Sequence, residues 1–84
     1  MDIAELAQAL SNHGISSRYY RFGPYGHGFS DDSFSLEESK GGFRVMYIER
    51  GSSSLLASFS TEGDACAYLL EQLTSTDQFL IRAR

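Results

Sequence analysis

FRVMYIERGSSSLLASF, residues 43–59, carries the strongest β-strand pattern of this 84-residue chain. In its first half, residues 43–50, apolar side chains occupy both faces of the expected strand: Phe43, Val45 and Tyr47 on one, Met46 and Ile48 on the other. Apolar side chains on both faces are typical of a strand at the centre of a sheet. We therefore expect residues 43–50 to have a neighbouring strand on each side.

Two further strands are expected beside this central one. A turn at residues 51–53 leads into a strand at 54–59, and a turn at 40–42 follows a strand at 33–39, because glycine favours the backbone angles of tight turns. The apolar residues expected on one face of the 54–59 strand are Leu55, Ala57 and Phe59. The three strands form an antiparallel meander.

A fourth strand and two helices complete the expected elements. The aromatic run at residues 17–22 predicts a strand that ends at a glycine-rich loop, residues 23–28. Asp2 predicts the start of one helix, and Ser60 or Thr61 the start of the other. The apolar stripes of the two helices are Ile3, Leu6, Ala7 and Leu10 in the first, and Cys66, Leu69, Leu70 and Leu73 in the second. For residues 76–84 a helical turn and an edge strand both stay open.

We expect one domain, residues 1–84, because a chain of this length supplies a single core. The order of helix, four strands and helix predicts an α+β fold. It is a two-layer sandwich in which a four-stranded antiparallel meander carries the N-terminal and C-terminal helices on one face. The opposite sheet face then carries Met46 and Ile48, and if it is uncovered it is a candidate contact surface.

The chain is acidic, with a net charge of −4 and a pI of about 4.9. Its seven Lys and Arg residues are scattered, whereas nucleic acid binding uses clustered cations, so we expect no direct nucleic acid contact. The lone cysteine excludes an intrachain disulfide and a thiolate metal site. There is neither a signal-peptide start nor an apolar run of about 18 residues to enter a membrane. We expect a cytoplasmic protein without a cofactor, whose partners are basic proteins.

Three residues, Cys66, His13 and His27, have side chains of the types that act in nucleophilic catalysis. Cys66 lies on the apolar stripe of a helix, where cysteine is usually a core residue, and His13 lies at a helix end, where it suits the carbonyl dipoles. His27 is close to Asp31 and Asp32, but adjacent carboxylates on an extended strand point in different directions, which disfavours a metal site. We expect no catalytic site, no metal site and no enzymatic activity.

The segment of residues 23–38 concentrates negative charge, with four carboxylates and no lysine or arginine. A carboxylate cluster is most often a solvated face. Here aromatic residues lie close by, and aromatic anchors with charged rims are typical of protein interfaces. The partner-binding residues predicted from this segment are Tyr25, His27, Asp31, Asp32, Glu37 and Glu38.

The second half of the chain resembles a known family. An aromatic strand leads into the hairpin Tyr47-Ile48-Glu49-Arg50-Gly51, and residues 59–70 read FSTEGDACAYLL, a helix with an acidic cap and an Ala-Cys-x-Tyr turn. This pattern, within residues 43–73, resembles the small immunity proteins of bacterial polymorphic-toxin and contact-dependent growth inhibition systems.

The resemblance implies a cognate inhibitor that blocks the active site or substrate groove of a toxin domain. Such toxins are often nucleases with basic clefts, which an acidic inhibitor can occupy. We therefore expect an immunity protein that binds a basic toxin domain, a nuclease such as an RNase, as a monomer in a 1:1 complex. The alternative is a small homodimeric regulatory or adaptor domain that uses Met46, Ile48 and the sheet edge. The sequence leaves open whether the acidic segment, residues 23–38, or the sheet face with Met46 and Ile48 forms the interface.

Overall fold

The computed structural model describes residues 1–28 and 32–75. The elements in this part of the chain are helix α1 (Ile3–Asn12), a 3-10 helix (Ser17–Tyr19), strands β1 (Tyr20–Phe22), β2 (Tyr25–Gly26), β3 (Ser33–Ser39), β4 (Gly42–Glu49) and β5 (Ser52–Phe59), and helix α2 (Glu62–Thr74). The fold is α+β, as predicted. The prediction for residues 76–84 lies outside the described residues.

The strands form one mixed sheet in the order β2-β1-β3-β4-β5. Strands β3, β4 and β5 are the predicted antiparallel meander, with β4 in the middle. Strand β1, however, pairs parallel with β3, where Tyr20 lies opposite Phe34, and β2 adds an edge strand. The prediction of a four-stranded, wholly antiparallel sheet was therefore wrong in strand number and in the direction of β1.

The difference arises at the glycine-rich loop. Gly23, with φ of 58°, and Pro24 reverse the chain, so that Phe22 pairs with Tyr25 and β2 forms where a loop was expected. Strand β2 runs antiparallel to β1, and β3 runs parallel to β1. The strand predicted at residues 17–22 is also shorter than expected, because its first three residues form the 3-10 helix.

A β-bulge interrupts β5. Val45 pairs with Ala57, but Met46 pairs with Leu55, so Leu56 is an extra residue in this strand. The insertion places Leu55 on the face of Met46, and the prediction that it shares a face with Ala57 is wrong. The side chains of Leu55 and Leu56 are exposed by 55% and 41%.

Both helices begin at the predicted caps. Asp2 and Glu5 form a capping box at the start of α1, and the hydroxyl of Thr61 accepts a hydrogen bond from the N–H of Asp64 at the start of α2. Helix α1 ends before Gly14, whose φ of 76° suits the left-handed position after a helix. Local sequence signals therefore fix these helix ends.

The two helices pack on one face of the sheet. The core combines Tyr20, Phe22, Phe34 and Val45 from that face with Leu6, Leu10, Ile15, Ala65, Cys66, Leu69 and Leu73 from the helices and their connection. Most residues of the predicted apolar stripes are thus buried, whereas Ile3, Ala7 and Leu70 are only partly buried. Neither helix in the described part of the chain has the length and hydropathy needed to cross a bilayer.

Candidate functional site

The residues predicted to bind a partner are divided along β3. Asp32 precedes this strand, whereas Glu37 and Glu38 lie near its other end, about 20 Å away at the usual rise per residue. Successive side chains of a strand point to opposite faces, so Glu37 and Glu38 are separated as well, with Glu38 on the helix-covered side. Asp31 lies outside the described residues.

Two of these carboxylates have partners within the fold. The hydroxyl of Tyr47 donates a hydrogen bond of 2.7 Å to Oδ1 of Asp32. Nη2 of Arg44 lies 3.3 Å from Oε1 of Glu37, and both side chains are about half exposed. An exposed pair of this kind contributes at most about 1 kcal/mol. The positions of Asp32 and Glu37 are therefore explained by contacts inside the protein.

Tyr25 and His27 lie at the β2 edge of the sheet. Tyr25 is half-buried and pairs with Phe22. Nδ1 of the exposed His27 is 2.7 Å from the hydroxyl of Ser17, and the backbone N–H of His27 donates to the Ser17 carbonyl at 2.9 Å. These two bonds tie the 3-10 helix to the end of β2. Within residues 1–28 and 32–75 there is no group of three His, Cys, Asp or Glu residues that could hold a metal ion.

Cys66 is fully buried on α2, as predicted. Burial raises the pKa of its thiol to about 11, the carboxylates of Glu62, Asp2 and Glu5 raise it as well, and the amino terminus lowers it. A thiol with this pKa is protonated at neutral pH and is a poor nucleophile. The charged groups that shift this pKa belong to the starts of both helices.

The two helices begin at the same end of the molecule. Oε2 of Glu62 accepts a hydrogen bond of 2.9 Å from the backbone N–H of Ile3, across 59 residues of sequence. Glu62 thus satisfies a free N–H group of α1 from the first turn of α2. The carboxylates found at this end are Asp2, Glu5, Glu38, Glu62 and Asp64. The capping patterns give two acidic helix starts, but only the tertiary fold makes them neighbours.

A cleft of about 320 Å³ opens at this end. It is lined by Ile3, Phe22, Gly23, Leu36, Glu38, Phe43 and Glu62. Its walls are mostly apolar, and its charged lining residues, Glu38 and Glu62, pair with no lysine, arginine or histidine in the described part of the chain. We call it the acidic cleft. Of the binding residues predicted from sequence, it contains Glu38.

The opposite sheet face provides a second candidate surface. Met46 and Ile48 are half-buried there, next to the exposed Leu55. Strand β5 has no charged residue, and it lies at an edge of the sheet formed by the described residues. We call Met46, Ile48, Leu55 and Leu56 the β4–β5 surface.

Two surfaces of different character are therefore candidates for binding. The acidic cleft combines apolar walls with two carboxylates, whereas the β4–β5 surface is apolar and uncharged. Comparison of the chain with protein-family models, curated proteins and solved structures gave no significant match.

Proposed function

We propose that the protein is an immunity protein that binds and neutralises a cognate toxin domain, a nuclease with a basic active-site or substrate cleft. The observation that carries this proposal is the grouping of five of the chain's eleven carboxylates at the end where both helices begin. The proposed place of action is the cytoplasm.

The arrangement of these carboxylates favours a basic protein partner. Several of them are held in place by helix caps, such as the Asp2–Glu5 box and the Glu62–Ile3 hydrogen bond. Fixed charge at one end of a molecule steers an oppositely charged partner and speeds encounter. Because two of these carboxylates, Glu38 and Glu62, line a mostly apolar cleft, the same end also offers surface that a partner can bury.

A nuclease is the kind of partner that this surface suits best. Its substrate groove must be basic to bind phosphate groups, and preorganised carboxylates can occupy the same groove and exclude the nucleic acid. The resemblance in residues 43–73 supports the same function, and this stretch includes Glu62. Glu38 is the predicted binding residue in the cleft. The other described residues that were predicted to bind a partner lie outside the lining of the cleft: Tyr25, His27, Asp32 and Glu37. We do not place them at the centre of the interface with the toxin.

The test uses the product of the neighbouring gene as the candidate toxin. Its C-terminal domain is expressed with this protein, and nuclease activity is titrated against the purified inhibitor. We expect loss of activity at a 1:1 ratio and an association rate that falls as salt increases, because salt screens the steering charges. Absence of a complex with this toxin domain, or full nuclease activity at saturating inhibitor, would refute the proposal.

The β4–β5 surface favours a second candidate function, a homodimeric regulatory or adaptor domain. Its specific support is the exposure of Leu55 and Leu56 on an uncharged edge strand, since edge strands of this kind pair readily with other strands. Sedimentation equilibrium of the isolated protein decides between the two. A monomer at micromolar concentration excludes the dimeric function.

A further inference from the structure

We propose that the acidic cleft accepts one lysine side chain of the partner, with its methylene stem along the apolar walls and its ammonium group between Glu38 and Glu62. This inference rests on the proposed function, because it names the chemistry by which that surface recognises a basic protein.

The cleft is large enough to hold one long side chain. Its volume of about 320 Å³ is at the lower end of the range of ligand pockets, roughly 300–1,000 Å³. Gly23 forms part of the wall against Ile3, and a Cβ atom at this position would lie 3.2 Å from Cδ1 of Ile3. Because Gly23 has no side chain, the space next to Ile3 stays open to the cleft.

The charges of the cleft favour a cation, and they come from both layers of the fold. Glu38 belongs to β3 in the sheet, and Glu62 belongs to the first turn of α2. One oxygen of Glu62 already accepts the Ile3 N–H, which orients the carboxylate before any ligand binds. An ammonium group has three donors that rotate freely, so it can reach carboxylates on two walls, whereas a guanidinium fork matches one carboxylate best.

The apolar walls account for the choice of a long side chain. Lysine buries its methylene stem along apolar surface while its charged end stays close to water. Leu36 and Phe43 supply such a surface from the sheet and Ile3 supplies it from α1.

The experiment titrates the labelled protein with short peptides and follows backbone amide signals by NMR. The peptides have glycines around one central residue: lysine, acetyl-lysine, norleucine or arginine. We expect saturable shifts with the lysine peptide at Gly23, Phe43 and Gly63, and weaker binding of the acetyl-lysine and norleucine peptides, which lack the charge.

Matched variants show whether the cleft carboxylates bind the peptide. Glu38→Gln and Glu62→Gln each remove one charge, and glutamine at position 62 retains an acceptor for the Ile3 N–H. We expect each to weaken lysine-peptide binding roughly threefold or more, as for a modest ion pair. Glu71→Gln on the exposed side of α2 removes the same charge away from the cleft and should leave the affinity unchanged. Equal weakening in all three variants would mean nonspecific charge attraction and would overturn the inference.

The outcomes separate this inference from the proposed function. Saturable lysine binding at the cleft without inhibition of the neighbouring toxin supports the site and refutes the function. Inhibition that Glu38→Gln and Glu62→Gln do not alter supports the function and refutes the site. Tighter binding of the arginine peptide overturns the assignment of lysine.

Discussion

The hydroxyl of Tyr47 donates a hydrogen bond of 2.7 Å to Oδ1 of Asp32, a residue that has the positive φ of 52°. Asparagine and aspartate tolerate this backbone region better than other residues with a side chain. The bond joins the residue before β3 to the central strand β4. These contacts give Asp32 a structural role, and its contact with a partner stays a prediction.

Asp32→Asn should therefore change the free energy of unfolding by less than about 0.5 kcal/mol, whereas Asp32→Ala should lower it by about 1–2 kcal/mol through loss of the hydrogen bond and a less favourable φ. Urea denaturation measures both. The Tyr47→Phe variant completes a double-mutant cycle. A coupling free energy of zero between the two positions would contradict the role assigned to this bond.

Glu62→Ala should destabilise the protein by about 1 kcal/mol, because it leaves the Ile3 N–H without its acceptor. Glu62→Gln should cost much less, since the amide oxygen can accept the same bond. Thermal unfolding of the two variants side by side checks this difference. If both lose the same stability, the charge of Glu62 rather than its hydrogen bond stabilises the helix starts.

Two glycines with similar backbone angles should differ in their tolerance of alanine. Gly26 and Gly51 have φ of 84° and 80°. A Cβ at Gly26 would overlap the carbonyl oxygen of Tyr20, whereas a Cβ at Gly51 meets no atom within 4 Å. We expect Gly51→Ala to cost about 1 kcal/mol from backbone strain alone and Gly26→Ala about 3 kcal/mol or more. Equal costs in denaturation would show that the overlap is relieved without penalty.

The buried thiol of Cys66 predicts a pH dependence of stability. Its pKa is raised in the folded state from 9.0 to about 11, so the unfolded chain loses this proton first as pH rises. The contribution of the protonated Cys66 thiol to the free energy of unfolding is therefore complete below about pH 9 and is lost progressively between pH 9 and 11.

The comparison with Cys66→Ala isolates this effect. The variant should lose about 1 kcal/mol at neutral pH from the missing sulfur, and its stability should fall less steeply than that of the parent above pH 9. Denaturation midpoints across this range measure both slopes. Parallel curves would show that the thiol does not titrate differently in the folded and unfolded states.

Leu55→Lys and Leu56→Lys should suppress any self-association of the protein, because a charge on an edge strand opposes pairing with another strand. Both side chains are exposed, so we expect each substitution to change stability by less than about 0.5 kcal/mol. Light scattering at high protein concentration measures the association. Under the proposed function, inhibition of the toxin should persist in both variants.

Local patterns in the sequence were sufficient for part of the fold. Asp2 and Thr61 mark the helix starts and Gly14 marks a helix end, because caps act within a few residues. The meander of β3, β4 and β5 follows from alternation and short turns. The parallel pairing of β1 with β3 could not be predicted in this way, because it depends on the reversal at β2.

The candidate site was predictable only in fragments. Sequence patterns identified each acidic residue of the cleft separately: Glu38 in the charged segment of residues 23–38, and Glu62 in the acidic start of a helix. Their proximity depends on how the start of α2 lies against the end of β3, and neither element alone contains that information. The extra residue Leu56 was missed for a related reason, since a bulge is defined by its partner strand.

The hydrogen bond between Ile3 and Glu62 also determines when the acidic cleft can be completed. During synthesis Glu62 is the 59th residue added after Ile3, so until then α1 lacks this cap and the cleft lacks one of its two carboxylates. Contacts between residues so distant in sequence close late in folding, because the entropy of the intervening loop opposes them. Chains that end before Glu62 therefore do not present the complete acidic cleft.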